Sequence, residues 1–541
     1  MTPIWSLPIK SLQNSKSTIR STVKGHPEEM VEKLEVAVDV IEPKRQRIIW
    51  ILLLCPLMGL AQQTNTEGYK KRVLESTEVD ILSSYYEQTG NNASVTGGIG
   101  TEQLTDVAPS IVVSIPLNDD DVLTVDVGIS TYTSASSSNL NPFDLTKTGS
   151  GISGASGNAG VGGGGDDDEF DDDNNNGGYS GVIGSPWVAS SGASRQDTWG
   201  SVSVAYAHSS DDRNQIWNAN ASFASEYDYV SVGFGGGITK LFNEKNTEVS
   251  IKGSVFLDTW LPRYPTELDS YLEVGGNLNS GFFAGVDILN RNGLVTNKNG
   301  TATWRPVDGF SLISDKKRNS FALSASFSQI LGKNTQISIF ADVVSQQGWL
   351  ANPMQRVYFA DVPNYFIGNP ASIPNYTSSQ NTDVFMLADD MERLPDTRLK
   401  FPIGFRLNHY FNEILTVRTY YRYYFDDWGL QAHTANIELP IKVSQNFTLY
   451  PSYRYYTQNQ IDYFAPFDTH LSTEEYYTSD FDLSAYDAHQ FGFGVTYTDI
   501  FTKFRTWRFG LKSIDLKYNN YHRNTGLKAN YFGVGFKFVM D

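Results

Sequence analysis

The chain of 541 residues holds a single cysteine, Cys55, which falls inside the one strongly apolar stretch of the sequence. A lone thiol forms no intrachain disulfide, and removal of that stretch would leave no thiol nucleophile and no cysteine metal site. Elsewhere no run of about twenty apolar residues occurs, so no transmembrane helix is expected in the rest of the chain. Positive charge is scarce too. With 42 Lys and Arg against 60 Asp and Glu, the net charge of −18 argues against nucleic acid as a partner, because phosphate contacts need basic surface.

Aromatic residues and glycine are plentiful: 30 Tyr, 31 Phe and 46 Gly accompany only 40% hydrophobic residues. The stretch from Thr397 to Ser444 shows how they are used. Leu399, Phe401, Ile403, Phe405 and Leu407 share one parity, while Lys400, Gly404, Arg406 and Asn408 share the other. Val417, Thr419, Tyr421, Tyr423 and Phe425 then oppose Arg418, Tyr420, Arg422 and Tyr424. This period of two marks strands with one apolar and one polar face. Strands of about ten residues built this way suit a wall between lipid and water. A soluble sandwich is the competing reading, but its strands are usually shorter, about five to six residues.

Sixteen such strands are expected, at 77–88, 106–117, 121–133, 197–209, 214–226, 229–241, 247–259, 318–331, 335–347, 398–411, 414–427, 430–443, 446–458, 489–500, 505–518 and 528–540. The links between them sort by length. Short ones, such as Asn412-Glu413 and Ser444-Gln445, alternate with long ones near 89–105, 134–196, 260–317, 348–397, 459–488 and 519–527. Tight turns at one end and long loops at the other are the habit of outer-membrane barrels. The expected fold is therefore all-β: a transmembrane antiparallel β-barrel of about sixteen strands, range about fourteen to eighteen, with long extracellular loops. The barrel would occupy 77–541 after a lead at 62–76.

The apolar run Ile48 to Ala61, preceded by Lys44, Arg45 and Arg47, has the basic flank, short apolar core and small-residue end of a secretory signal at 44–61. Residues 1–43 read as a leader upstream of that signal, with no assigned function. At the other end Phe532, Val534, Phe536 and Phe538 alternate as in the C-terminal strands by which barrels reach their insertion machinery. The last residue is Asp541, where an aromatic would be expected.

The longest loop carries an acidic Gly/Asp/Asn-rich run at 150–180. Within it Asp172, Asn174, Asn176 and Gly177 open like a calcium loop, where oxygen ligands alternate and glycine permits the turn. The twelfth position is Ile183, where a bidentate carboxylate belongs, so a solvated acidic loop is the main reading and Ca2+ the secondary one. No other cofactor and no catalytic residue is assigned: His208, His409 and His433 fall at or near strand ends, and no H-E-x-x-H motif occurs. The inward parity is the candidate site. Its C-terminal half gathers Arg406, Arg418, Arg422, Lys442, Arg454, Arg508, Lys512 and Lys537; its N-terminal half gathers Asp80, Asp126, Glu248, Asp258 and Asp342, with the one base Lys252. A basic wall facing an acidic one would orient dipolar solutes and set ion preference, unless the charges pair and merely hold the barrel's shape.

Two small-residue runs, Ser134-Ala135-Ser136 and Ser191-Gly192-Ala193-Ser194-Arg195-Gln196-Asp197, flank the long loop. Over roughly Thr77 to Asp541 the chain thereby resembles an uncharacterised outer-membrane barrel family, domain of unknown function 3570. That resemblance implies a Gram-negative outer-membrane location and no established activity. The expected partners are membrane lipid, the insertion machinery and small polar solutes, with a homo-oligomer or a surface partner open. The functional expectation is a porin-like channel for small polar or charged solutes, and not an enzyme. Its alternative is a non-conducting display barrel whose loops bind a partner, a glycan or a divalent cation.

Overall fold

The computed structural model describes residues 72–134 and 196–540, except 227, 262, 382 and 500. The expected leader and signal, with Cys55, and the acidic loop, with Asp172, Asn174 and Asn176, lie outside the described residues.

Sixteen strands form the wall: β1 (Thr77–Thr89), β2 (Leu104–Pro116), β3 (Asp121–Ser134), β4 (Gln196–Ser209), β5 (Gln215–Glu226), β6 (Tyr229–Phe242), β7 (Thr247–Trp260) and β8 (Lys317–Gly332), followed by β9 (Thr335–Gly348), β10 (Thr397–Tyr410), β11 (Thr416–Asp426), β12 (Gln431–Glu438), β13 (Phe447–Gln458), β14 (Tyr486–Thr498), β15 (Phe509–Arg523) and β16 (Lys528–Met540). Each pairs antiparallel with its neighbours in chain order. The cylinder closes through β1 and β16, in a register from Thr77 opposite Met540 to Thr89 opposite Lys528. Closure satisfies every edge, which an open sheet in lipid could not do.

The outer face follows from alternation. Ile81, Ile111, Val127, Val202, Phe223 and Val232 stand opposite one another across six consecutive strands. The first five are exposed at the surface, as side chains that lipid covers would be. Toward the loop end the belt turns aromatic and polar-tipped: Tyr421 pairs with His433 at 2.7 Å and Tyr453 with His489 at 2.8 Å. Amphipathic rings of this kind suit the membrane interface.

Two strands depart from the sequence expectation. The strand expected at 430–443 is interrupted: β12 ends at Glu438 and pairing resumes only at Ile441–Lys442, beyond Pro440, which has no N–H for the ladder. The strand expected at 505–518 is displaced to 509–523. The expected long link at 519–527 is consequently a tight turn, closed by Arg523 N–H donating to the Leu527 carbonyl at 2.8 Å, with Gly526 at φ 102°. Only a residue without Cβ takes that backbone region freely.

A β-bulge between Leu511 and Ser513 supplies one more inward side chain, that of Lys512. Its Nζ reaches Glu78 at 2.7 Å, and Lys537 joins the same carboxylate at 2.6 Å.

Candidate functional site: the lumen and its cap

Register places the inward residues. Arg406, Tyr420, Asn436, Arg454 and Gln490 lie side by side across β10 to β14. The Arg406 guanidinium sits over the rings of Phe340 and Tyr420, at 5.3 and 5.6 Å, and those rings stack at 5.7 Å. Arg418 donates to Glu438 Oε1 at 2.9 Å. Arg422 and Arg454 each hold a buried Nε without a hydrogen-bond partner. A guanidinium on the inward face of a polar lumen is a ready donor to anionic or hydroxyl-bearing solutes.

The other predicted residues are placed as follows. Lys442 stands opposite Thr448 at the turn end and is exposed. Asp126 is opposite Ser203, Glu248 opposite Ser328, Asp258 opposite Arg318 and Asp342 opposite Ser324, all on the inward parity. Asp80 is paired with Lys537 at 3.4 Å. Arg508 is not on the wall. It lies in an exposed turn before β15, with its guanidinium 5.6 Å from the Trp507 ring. The basic wall also holds Arg398, Lys400 and Arg523, which the sequence reading left out, and its own acids Asp426 and Glu438. Arg398 with Asp426 and Arg418 with Glu438 join neighbouring strands within the basic half, whereas Lys512 and Lys537 pair with Glu78 and Asp80 and join the basic half to the acidic one at the seam.

Above the wall, four connections fold together as a cap: 90–103, 261–316, 349–396 and 459–485. Its core packs Leu268, Phe283, Ile288, Trp304, Tyr358, Phe385 and Leu387. A helix, α1 (Thr266–Glu273), turns Glu267 into that core. There the carboxylate accepts from Arg356 at 2.7 and 3.1 Å, while Arg356 Nη1 donates to the Val95 carbonyl at 3.1 Å. Three connections therefore meet at one ion pair.

The cap enters the barrel mouth. Leu104, Ala432, Thr434, Ala488 and Ala529 point inward at the loop ends of their strands and are nonetheless buried. Gln458, also inward, donates to the Asp482 and Ser484 carbonyls at 3.0 and 2.6 Å, and Arg523 pairs with Asp482 at 2.7 Å. Deeper in, Lys252 and Phe256 face inward and keep accessible surface, so side chains do not fill the lumen below the cap at these positions.

The cap buries carboxyls. Burial pushes Glu102, Asp389 and Glu392 each up to about 8. Asp390 is raised for the same reason, against the lowering by Arg393 and the Tyr477 hydroxyl that donates to it at 2.5 Å. At neutral pH the first three therefore favour the protonated form, which is the form an apolar surrounding tolerates.

A model of one family, Protein of unknown function (DUF3570), matches residues 52–532. The chain belongs to the DUF3570 family. A search of the curated proteins gives no match. Among solved structures the DUF3570 barrel is similar to a structure titled bacterial polysaccharide outer membrane secretin, at 9% identity and TM-score 0.36, covering 87% of this chain and 100% of that one. It is similar to a BenF-like porin from Pseudomonas fluorescens Pf-5 at 8% identity and TM-score 0.32, with 86% and 100% covered. It is likewise similar to Pseudomonas aeruginosa OccK2 (OpdF) in complex with glucuronate, at 7% identity and TM-score 0.32, with 88% and 100% covered. At such values these likenesses carry no argument about what this barrel passes or binds. The fold itself is that of a Gram-negative outer-membrane β-barrel.

Proposed function

We propose that the DUF3570 barrel is a channel that passes small polar solutes, anions ahead of cations, across the outer membrane, with the cap as its constriction. The observation that carries this is the inward row of Arg406, Tyr420, Asn436, Arg454 and Gln490 on the face toward the lumen. Sixteen strands give a cylinder wide enough for an aqueous interior. Unpaired arginine donors on one side concentrate anions there, and stacked rings beside them offer a flat surface to a solute's apolar face. The acidic residues lie mainly on β1 to β9. The resulting field runs across the lumen and orients whatever carries a dipole.

A second reading has its own observation. The cap has a core of its own, which suits a barrel that displays a surface and conducts little. Single-channel recording of the refolded chain in a planar bilayer separates the two. Stable steps whose reversal potential under a salt gradient shows anion preference support the channel. A folded, heat-modifiable barrel that stays silent, even with the cap loosened by Arg356→Met, rejects it.

A further inference from the structure

The turn end of the barrel is divided. On one arc, from β8 to β15, the connections expose apolar side chains: Leu331, Phe411, Ile414 and Val443. The arc culminates between β14 and β15, where Phe501, Phe504 and Trp507 are 79%, 61% and 82% exposed. On the other arc the connections carry Asp119, Asp120, Asp211, Asp212 and Glu244 against Arg213, which is paired with Asp120, and Lys245, with Leu117 and Phe242 as exposed apolar side chains. Basic residues follow the apolar arc: Lys333, Lys503, Arg505 and Arg508 are exposed there, against the single acid Glu413.

The β14–β15 connection is a built hairpin. Asp499, buried beneath it, accepts from the backbone N–H of Phe501 at 3.2 Å and of Lys503 at 2.8 Å. Arg505–Thr506 pairs with Phe509–Gly510, and Leu511 N–H donates to the Phe504 carbonyl at 2.9 Å. Thr502 and Trp507 sit at φ 45° and 57°, and the backbone there turns aside from the extended form. A side chain of Trp size held in water without cover is costly, and a positive φ at a bulky residue is uncommon.

We propose that this arc is a lipid contact: Phe501, Phe504 and Trp507 enter the headgroup boundary of the turn-side leaflet, and Lys503, Arg505 and Arg508 hold the phosphates of anionic phospholipid. Two features on the page select lipid as the occupant. The arc extends the outer face, since Leu331 and Phe411 share the outward parity of Phe327 in β8 and Leu407 in β10, each one step beyond a polar residue of interfacial type, Gln329 and His409. Its charge is opposite to that of an anionic leaflet, whereas the other arc has the same sign. Aromatic rings interleaved with lysine and arginine are the composition of an interfacial anchor. The barrel therefore stands tilted, with the β8–β15 side deeper.

Lipid quenching on the full chain, folded into vesicles of phosphatidylcholine and phosphatidylglycerol, tests this. An environment-sensitive fluorophore is placed by Trp507→Cys, by Phe504→Cys or by Asp211→Cys, each with Cys55→Ser. Labels at 507 and 504 are expected to be quenched by spin-labelled lipid and shielded from aqueous iodide, and the label at 211 the reverse. Reversing Lys503, Arg505 and Arg508 to Glu is expected to abolish the preference for an anionic over a zwitterionic quencher lipid, by about fivefold per charge. Equal quenching at 507 and 211 in a folded barrel overturns the tilt. A label at 507 as open to iodide as the one at 211 overturns the lipid assignment in favour of a protein partner. An unchanged lipid preference after charge reversal overturns the phosphate contacts.

Discussion

Arg356 and Glu267 form a two-bond ion pair inside the cap with side chains only 1% and 0% exposed. Glu267 holds the guanidinium protonated, above its ordinary value, although burial pulls the other way. Removing one partner leaves the other charged and buried, at a cost of about 3–5 kcal/mol. Arg356→Met should thus loosen the cap, while the double variant Arg356→Met with Glu267→Leu should recover much of the loss. Limited proteolysis within 261–316 and 349–396 reads the cap, and electrophoretic heat-modifiability reads the barrel. A double variant no more resistant than the single one would reject the coupling.

Trp304 is fully buried and donates from its indole N–H to the Ala388 carbonyl at 2.9 Å. Trp304→Ala removes one of the cap's largest side chains and should cost the cap about 3–5 kcal/mol. Trp304→Phe keeps most of the volume but strands that carbonyl, for a loss of about 1–3 kcal/mol. Hydrogen exchange at Phe385 to Ala388 should rise modestly in Trp304→Phe and more in Trp304→Ala, and the strand amides of β1 to β7 should not change.

The three buried cap carboxyls give a pH dependence with a definite sign. Glu102 and Glu392 rise from an ordinary 4.5, and Asp389 from 3.8, to about 8. Between those limits the packed cap binds more protons than the open one, so its stability falls as pH rises. It is greatest below the ordinary carboxylate range and its loss is complete once pH passes the folded value. Cap protection factors, taken relative to the intrinsic exchange rate at each pH, should fall between pH 5 and 9, by roughly tenfold for each 1.4 kcal/mol lost. Glu392→Gln should flatten part of that slope, and an identical slope in the variant would remove Glu392 from the account.

The wall was readable from sequence because alternation with a period of two is imposed residue by residue along each strand. Thirteen-residue β16 shows it with Phe532, Val534, Phe536 and Phe538 on one face. The cap was not readable, since its contacts follow no period: Arg356 and Glu267 lie 89 residues apart, in stretches that look like ordinary polar loop. Arg523 was missed for a related reason. Asn519 and Asn520 read as loop residues, yet they continue β15 and carry Arg523 to the cap. Arg508 went the other way, because Trp507, Phe509 and Leu511 share one parity and set Arg508 on the other, while the positive φ at Trp507 turns the backbone aside.

The arginine wall makes the most direct test of passage. Arg418 is already held by Glu438, so reversing it would set two carboxylates together and confound the result. Arg422 and Arg454 are the cleaner pair, each with an Nε that meets no acceptor. Replacing both by Glu changes the charge facing a passing ion without breaking a pair seen in the wall. At a separation of about 10 Å and an effective dielectric near 20, each charge is worth about 1–2 kcal/mol to the ion. Anion preference should therefore fall at least about fivefold at 0.1 M salt and much less at 1 M, where screening acts within about 3 Å. A folded variant whose reversal potential matches the parent at both salt concentrations would show that ions do not travel along this wall.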